Sequence, residues 1–433
     1  MPHRAGTILR FWAPLAATWI MMAAEGPLLA AVIARLADPV YNLAAYGVAF
    51  AFALLVEAPV IMLMSASTAL AEDLASYRRL RNFTHGLTGG ATALLLLVLL
   101  PPVYRLLTDT LLGLPADVSR LTYGALWILL PWPAAIGYRR FLQGLLIRSG
   151  RTRLVALGTV LRLSAMTTTA FVLFALAAMP GAWVGAAALT TGVLVEAAAA
   201  RVMARGALRD LRRPGPTGTA PAPGIGYGDI ARFYYPLALT SMIGLTVQPL
   251  LTFFMGRAPA PVESLAVFPV VHALSFLFRA PGLSYQEAAI ALLGRRSEHY
   301  REMARFATAL GLASSAVLAL VAFTPLAHVW FEIVSGLSPR LAELAIPATR
   351  ILVPLPALSV LLSLQRAVLV QERRTRPITI ATALEVAVIA SAFALLGWIV
   401  GMVGVLAAAL ALATGRLSAN AYLARTAAVP RRD

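Results

Sequence analysis

Apolar runs of about twenty residues or more recur along this chain, separated by short polar segments in which arginine and proline concentrate. A helix needs roughly 20 apolar residues to cross the hydrocarbon layer of a bilayer, and the pattern predicts about twelve such helices. The first six fall at approximately 8–35, 42–70, 83–108, 120–147, 154–178 and 182–204. The second six fall at approximately 230–256, 264–292, 304–331, 341–368, 377–397 and 400–424. The first run lacks a short apolar core followed by a small-residue cleavage site, so it is expected to stay as a helix.

The segment from Gly206 to Gly228 breaks the pattern. It holds Arg213-Pro214-Gly215-Pro216-Thr217-Gly218 and then Pro221 and Pro223, a density of proline and glycine that reads as a linker. The expected organisation is therefore an N-terminal six-helix lobe over 1–205, a cytoplasmic Pro/Gly-rich linker over 206–228, and a C-terminal six-helix lobe over 229–433.

The two halves repeat one another. Arg10-Phe11-Trp12-Ala13-Pro14-Leu15-Ala16 parallels Arg232-Phe233-Tyr234-Tyr235-Pro236-Leu237-Ala238 at an offset of 222. Without a gap, Pro27-Leu28-Leu29 meets Pro249-Leu250-Leu251, Arg35 meets Arg257, and Ala58-Pro59 meets Ala280-Pro281. After one inserted residue, Pro131-Trp132-Pro133-Ala134 meets Pro354-Leu355-Pro356-Ala357, and Arg151-Thr152-Arg153 meets Arg374-Thr375-Arg376. Six spans per half is an even number, so both halves are expected to point the same way, related by an axis along the membrane normal. The fold class this implies is an all-α polytopic membrane protein of two parallel six-helix repeats.

Composition sharpens the picture. Hydrophobic residues make up 60% of the 433 and charged residues only 13%, outside the range of ordinary soluble domains. The net charge of +17 comes from 36 basic residues, all arginine, scattered between the apolar runs. That scatter fits the rule that cytoplasmic loops of membrane proteins are basic, and it argues against nucleic acid. Arg78, Arg79 and Arg81, then Arg148, Arg151 and Arg153, and likewise Arg209, Arg212 and Arg213 mark one side. Arg295 and Arg296, Arg373, Arg374 and Arg376, and Arg431 and Arg432 continue it. Loops of the other side carry isolated Arg35, Arg105, Arg257 and Arg340 near Asp38, Asp109, Glu263 or Glu343. Both termini are thus expected in the cytoplasm, with the chain in the inner (plasma) membrane. The absence of cysteine excludes disulfides, thiolate metal sites and cysteine nucleophiles.

Charge inside a span costs about 2.5–3.5 kcal/mol even on insertion scales and calls for a partner or a job. Glu25, Glu57, Arg162, Arg279 and Glu385 stand in that position. Glu57 corresponds to Arg279 across the repeat and Arg162 to Glu385, each with the sign reversed. Two pairings follow: latches between halves, Glu57 with Arg279 and Arg162 with Glu385, or fixed bridges within halves, Glu57 with Arg162 and Arg279 with Glu385. Pro59 and Pro281, at matched positions, are candidate hinges or fixed kinks, since each frees a carbonyl one turn earlier. Glu25, whose counterpart is Val247, suits a proton or cation relay or plain hydrogen bonding. His272, Gln248, Gln143, Gln365 and Thr167-Thr168-Thr169 add polarity within spans; a lone His such as His272 reads more simply as hydrogen-bonded packing. Arg139, Arg140 and Arg366 are explained most simply by snorkelling to headgroups. If they face a cleft instead, they join Arg162 and Arg279 in a basic funnel for phosphate or carboxylate.

No phosphate-binding Gly-rich loop, no His-Glu-x-x-His and no close acid cluster occurs, so neither an enzyme nor a bound metal or other cofactor is expected. The loop after the second span, Glu72-Asp73-Leu74-Ala75-Ser76-Tyr77-Arg78-Arg79, lacks the Gly-x-x-x-Asp-Arg-x-Gly-Arg pattern of major facilitators. Phe11-Trp12-Ala13-Pro14-Leu15 with Glu25 downstream, followed by Leu43-Ala44-Ala45-Tyr46-Gly47-Val48-Ala49, instead resembles the opening of the progressive ankylosis protein family, in the MATE-like (multidrug/oligosaccharide-lipid/polysaccharide exporter) superfamily. Phe233-Tyr234-Tyr235-Pro236-Leu237-Ala238-Leu239 with Pro249 and Arg257 carries the same resemblance. It covers the first two helices of each half and implies a MATE-like fold and export of small polyanions such as pyrophosphate, citrate or nucleotide. Glu25 and Arg257 carry over by position, whereas Gln248 stands where a basic residue is expected.

The expectation is a secondary transporter that exports a small organic or phosphate-containing anion by alternating access. Arg162, Arg279 and Arg366 supply positive potential, and Glu25 is the carboxylate for proton or sodium coupling. The partners expected are the bilayer and a small solute, with the chain a monomer. A multidrug/cation antiporter using Glu25, Glu57 and Glu385 with Trp12 and Tyr46 is the first rival. A lipid-linked oligosaccharide flippase and a non-transporting scaffold or scramblase are the others.

Overall fold

The computed structural model describes residues 5–177, 179–212, 225–293, 298–372, 374 and 376–426. Their regular structure is helical throughout. Ten helices among them are long and apolar enough to span a bilayer, and a bent pair brings the number to eleven. Arg213 to Gly218, Pro221, Pro223, Arg295, Arg296, Arg373, Arg431 and Arg432 lie outside the described residues.

The first half runs α1 (Ala5–Ala34), α2 (Pro39–Glu57), α3 (Leu63–Leu70), α4 (Leu74–Val98) and α5 (Pro101–Arg105). It continues with α6 (Ala116–Ile128), α7 (Trp132–Arg148), α8 (Thr152–Leu176), α9 (Gly181–Met203) and α10 (Arg205–Arg212). The second half runs α11 (Tyr227–Leu245), α12 (Val247–Met255), α13 (Pro261–Leu292), α14 (Tyr300–Phe323) and α15 (Leu326–His328). It ends with α16 (Pro339–Leu352), α17 (Leu355–Gln371), α18 (Arg376–Phe393) and α19 (Gly404–Thr426). The expected linker begins later than Gly206, because Arg205–Arg212 is helical. That helix carries no proline, and Arg151 bridges to its Asp210 at 2.8 Å.

Prolines punctuate several spans. The third expected span bends by 73° between α4 and the helix that starts at Pro101, and its counterpart breaks at Pro325, between α14 and α15. The fourth and tenth break at the matched Pro131 and Pro354, each of which sits just before the next helix. Proline cannot donate to the preceding turn, so each of these helices restarts rather than continues.

The helices form two compact units, and these do not follow the sequence halves. One unit comprises Met1–Gly47, Leu112–Pro115 and Leu250–Asp433; the other comprises Val48–Leu111 and Ala116–Pro249. Neither unit ends at the expected boundary near residue 205. The reason lies in the first helix of each half. In one unit, α1 packs along α13. There Ile8 is fully buried, and it and Trp12 join a core with Tyr285, Leu293, Met303 and Leu364. In the other, Ile230 of α11 joins Tyr77, Leu80, Phe141 and Leu208.

Within each unit the same packing scheme recurs. In one, α7 lies against α3, α4 and α9, and α8 lies against α9. In the other, α17 lies against α13, α14 and α19, and α18 lies against α19. Matched glycines set the last contact in both. A Cβ on Gly192 would stand 3.1 Å from the Arg162 carbonyl, and one on Gly415 would stand 3.0 Å from the Glu385 carbonyl. Phe171, Leu176, Leu312, Phe323 and Ile399 are exposed, the apolar surface that a lipid-facing helix presents.

Candidate functional site

Three helices of one unit converge on the carboxylate of Glu196, which is fully buried in α9. Arg139 of α7, itself buried, forms an ion pair with it. Gln143, one turn further along α7, donates to its other oxygen at 3.0 Å. Arg162 of α8 approaches with Nε 3.5 Å away. Glu57, at the end of α2, is buried and accepts from the Trp132 indole at 3.0 Å, within Coulombic reach of Arg139 and Arg140.

The second unit builds a similar cluster from the matched helices. Arg416 of α19 pairs with Glu385 of α18 at 2.8 Å. Arg366 of α17 donates to Thr382 at 3.1 Å, and Arg279 of α13 donates through Nε to Ser359 at 3.2 Å. Both guanidiniums lie within Coulombic reach of Glu385 and of Arg416. Three arginines thus gather about the Glu385 carboxylate.

These partners replace the expected ones. Glu57 takes an indole, Arg162 takes Glu196 and Glu385 takes Arg416, while Arg279 keeps a hydroxyl and only the longer-range attraction of Glu385. The sign reversal between halves is compensated locally: the fifth and sixth spans read Arg162–Glu196 in one half and Glu385–Arg416 in the other. Sequence comparison passed over Glu196 and Arg416 because their repeat counterparts, Ala419 and Val193, are uncharged. The available signal was the matched Thr191-Gly192 and Thr414-Gly415, after which each partner follows within one turn. Arg139 does not snorkel; Glu196 holds it inside the protein.

Glu25 belongs to neither cluster. It is half-buried on α1, within Coulombic reach of the buried Tyr46 phenol. Next to it, Gly26 lets α1 approach α13 so closely that a Cβ there would lie 2.9 Å from Ala273 Cβ. His272, adjacent to Ala273, stacks between Phe268 and Phe276 at 5.6 and 6.5 Å, which fits packing. Gln248 is half-buried in the first turn of α12, after the break that follows α11. Arg257 lies over the Phe253 ring at 5.2 Å.

The matched prolines differ. Pro59 lies just beyond the end of α2, and the chain passes through turns to α3. Pro281 lies inside an unbroken α13. The residues after Pro59 are the β-branched Val60 and Ile61, which resist helix. After Pro281 comes Gly282, which fits against the Val360 backbone: a Cβ there would stand 3.1 Å from the Val360 nitrogen. Around Pro59, Ser241 donates to the Ala58 carbonyl at 2.7 Å and Tyr234 donates to the Pro59 carbonyl. Around Pro281, Trp12 donates to its carbonyl at 3.2 Å and to Ser284 at 2.9 Å.

The Nε donors of Arg139, Arg140 and Arg366 are buried without a hydrogen-bond partner among the described residues. Buried donors of this kind are satisfied in nature by water or ligand. Chemically, the clusters offer fixed guanidiniums with spare donors in a poorly hydrated setting, which favours anions.

No family model matches the chain, and no curated protein matches it. Solved structures do. An inward-facing multidrug resistance MATE family transporter of the MOP superfamily aligns over 93% of this chain and 92% of its own, with a TM-score of 0.68 and 16% identity. The lipid II flippase MurJ, in an inward closed conformation, aligns over 96% and 87% with a TM-score of 0.73 and 12% identity. A MATE transporter of Vibrio cholerae aligns over 98% and 96% with a TM-score of 0.63 and 14% identity. The fold is MATE-like.

Proposed function

We propose that this chain is a secondary transporter that exports a small organic or phosphate-containing anion, of the size of pyrophosphate, citrate or a nucleotide. Alternating access through the inner membrane, with both termini cytoplasmic and a proton or sodium gradient as the driving force, completes the reading. The observation that carries it is the gathering of Arg279, Arg366 and Arg416 about the carboxylate of Glu385, with the Arg366 Nε buried and without a hydrogen-bond partner among the described residues. Leaving a charge uncompensated in a protein interior is costly. An anion with two or more oxygens completes those donors and is released when the site hydrates.

Two further features support this reading. The fold is shared with a multidrug resistance MATE family transporter and a lipid II flippase. The resemblance of the opening helices to the progressive ankylosis family points to polyanions, with Glu25 as the coupling carboxylate. The cation antiporter is disfavoured because Glu57 and Glu385, two of the acids it needs, already hold Trp132 and Arg416.

The test is uptake into proteoliposomes of labelled pyrophosphate, citrate and ATP beside a cationic dye, with and without proton or sodium gradients. We expect gradient-driven movement of at least one anion, reduced tenfold or more by Arg366→Gln and less by Arg366→Lys. Dye movement without anion movement would instead establish the cation antiporter.

A further inference from the structure

Away from both buried clusters, the unit containing Val48–Leu111 and Ala116–Pro249 has a cavity of about 310 Å³ lined by Tyr77, Arg81, His85, Tyr138 and Arg201. Three helices contribute. Tyr77, Arg81 and His85 are spaced four apart along one face of α4, Tyr138 comes from α7, and Arg201 comes from the last turn of α9. The floor is rigid: Tyr77 is buried and stacks on Phe141 at 5.6 Å, and His85 stacks on Tyr138 at 6.1 Å with planes 22° apart.

The mouth is basic. Arg81 and Arg201 are exposed and form no ion pair among the described residues. Arg81 donates to the Asn82 side-chain oxygen at 3.2 Å, and both guanidiniums act electrostatically on the Tyr138 phenol. In the same unit Arg148 pairs with Glu72 and Arg151 with Asp210. Two guanidiniums, two phenols and an imidazole therefore line one small volume, with no carboxylate among its lining residues. Guanidinium forks bind the oxygens of phosphate in pairs, and here they come from two different helices.

Position narrows the source. Arg81 is seven residues into α4, about 10 Å along the axis at 1.5 Å per residue, and Arg201 is two residues from the end of α9. Both stand where an apolar span gives way to a basic loop, the level of lipid phosphates, and basic pockets between spanning helices hold anionic headgroups.

We propose that this cavity is a phosphate-binding site, distinct from the transported substrate's site, that holds the phosphodiester of an anionic lipid in the leaflet facing the basic loops. Dissolved phosphate shares the chemistry, so the experiment separates the two sources. The full chain, purified in detergent, is mixed with vesicles of phosphatidylcholine alone or with phosphatidylglycerol, re-extracted, and weighed intact by native mass spectrometry. Delipidated protein is titrated in parallel with inorganic phosphate by calorimetry.

Wild type should retain phosphatidylglycerol and not phosphatidylcholine. The R81Q/R201Q variant should retain at least tenfold less, and R232Q/R425Q, which loses the same charge at exposed positions elsewhere, should behave as wild type. His85→Ala, an exposed substitution that leaves both arginines in place, should weaken retention severalfold. Phosphate binding that R81Q/R201Q abolishes, without selective lipid retention, keeps the site and assigns it to a soluble anion. Equal retention by wild type and R81Q/R201Q, with no phosphate binding that the variant abolishes, overturns the proposal, as does equal loss in R232Q/R425Q.

Discussion

The indole of Trp12 donates to the carbonyl of Pro281 at 3.2 Å, and its repeat counterpart Tyr234 donates to the carbonyl of Pro59. Each opening helix therefore satisfies the matched proline of the other half's second span. The two contacts are not equally defended. Ser284 also donates to Pro281, at 2.8 Å, whereas Ser241 donates to Ala58 rather than to Pro59. A buried carbonyl stripped of its donor costs about 1–3 kcal/mol. Tyr234→Phe should accordingly lower the thermal unfolding midpoint in detergent more than Trp12→Phe does. No shift for Tyr234→Phe would mean that the hydroxyl contact contributes nothing, and equal shifts that Ser284 does not defend the Pro281 carbonyl.

The ion pair between Glu385 and Arg416 can be inverted. Glu385→Arg places two guanidiniums together in α18 and α19 and should cut the yield of folded protein sharply, since breaking a buried pair costs about 3–5 kcal/mol. Adding Arg416→Glu should restore much of it, and adding Arg162→Glu should not. Size-exclusion profiles of the three variants decide the matter; rescue by the Arg162 change would return that residue to Glu385 as its partner.

Much of this arrangement was legible beforehand. The spans, the repeat and the placing of Glu57, Arg162, Arg279 and Glu385 within spans all follow from spacing and hydropathy. The partners did not, for a geometric reason. A register of 222 or 223 residues identifies equivalent positions, but the residues that neutralise one another sit on neighbouring helices at unrelated numbers. Glu196 follows its contact glycine by four residues and Arg416 follows the equivalent one by one, so the repeat preserves the helix contact and not the charged position. The membership of α1 and α11 was equally hidden, because hydropathy marks a helix as apolar without saying which neighbour it packs against.

Glu25 stands apart from both ion clusters, beside Tyr46 and the close approach of α1 to α13 at Gly26. A carboxylate that alternates between protonated and ionised forms can couple transport to a gradient; an amide cannot. Glu25→Gln should leave folding intact and anion exchange measurable at equal pH on both sides. It should abolish the stimulation by an imposed gradient. If stimulation persists in proteoliposomes, the coupling group lies elsewhere.

Acid sensitivity has an identifiable source outside the spans at Asp73, the N-cap of α4. Its carboxylate accepts from the Ser76 backbone N–H at 2.8 Å and the Ser76 hydroxyl at 3.0 Å. The backbone bond is the main cause holding its pKa below the ordinary carboxylate value, with Arg79 adding a smaller effect. A group whose folded pKa is depressed binds its proton more weakly folded than unfolded. Its stabilisation is therefore present above the unfolded pKa and fades as pH falls through the folded one. Asp73→Asn keeps a capping oxygen but removes the titration, and Asp73→Ala removes both. Unfolding midpoints measured from pH 7 downward should show Asp73→Ala less stable by about 0.5–2 kcal/mol at neutral pH. Its deficit should narrow in acid, where the wild-type carboxylate is neutral. Asp73→Asn should track wild type more closely at neutral pH and lose less on acidification. A deficit for Asp73→Ala that stays constant from neutral to acid pH would show that the hydrogen bond counts and the charge does not.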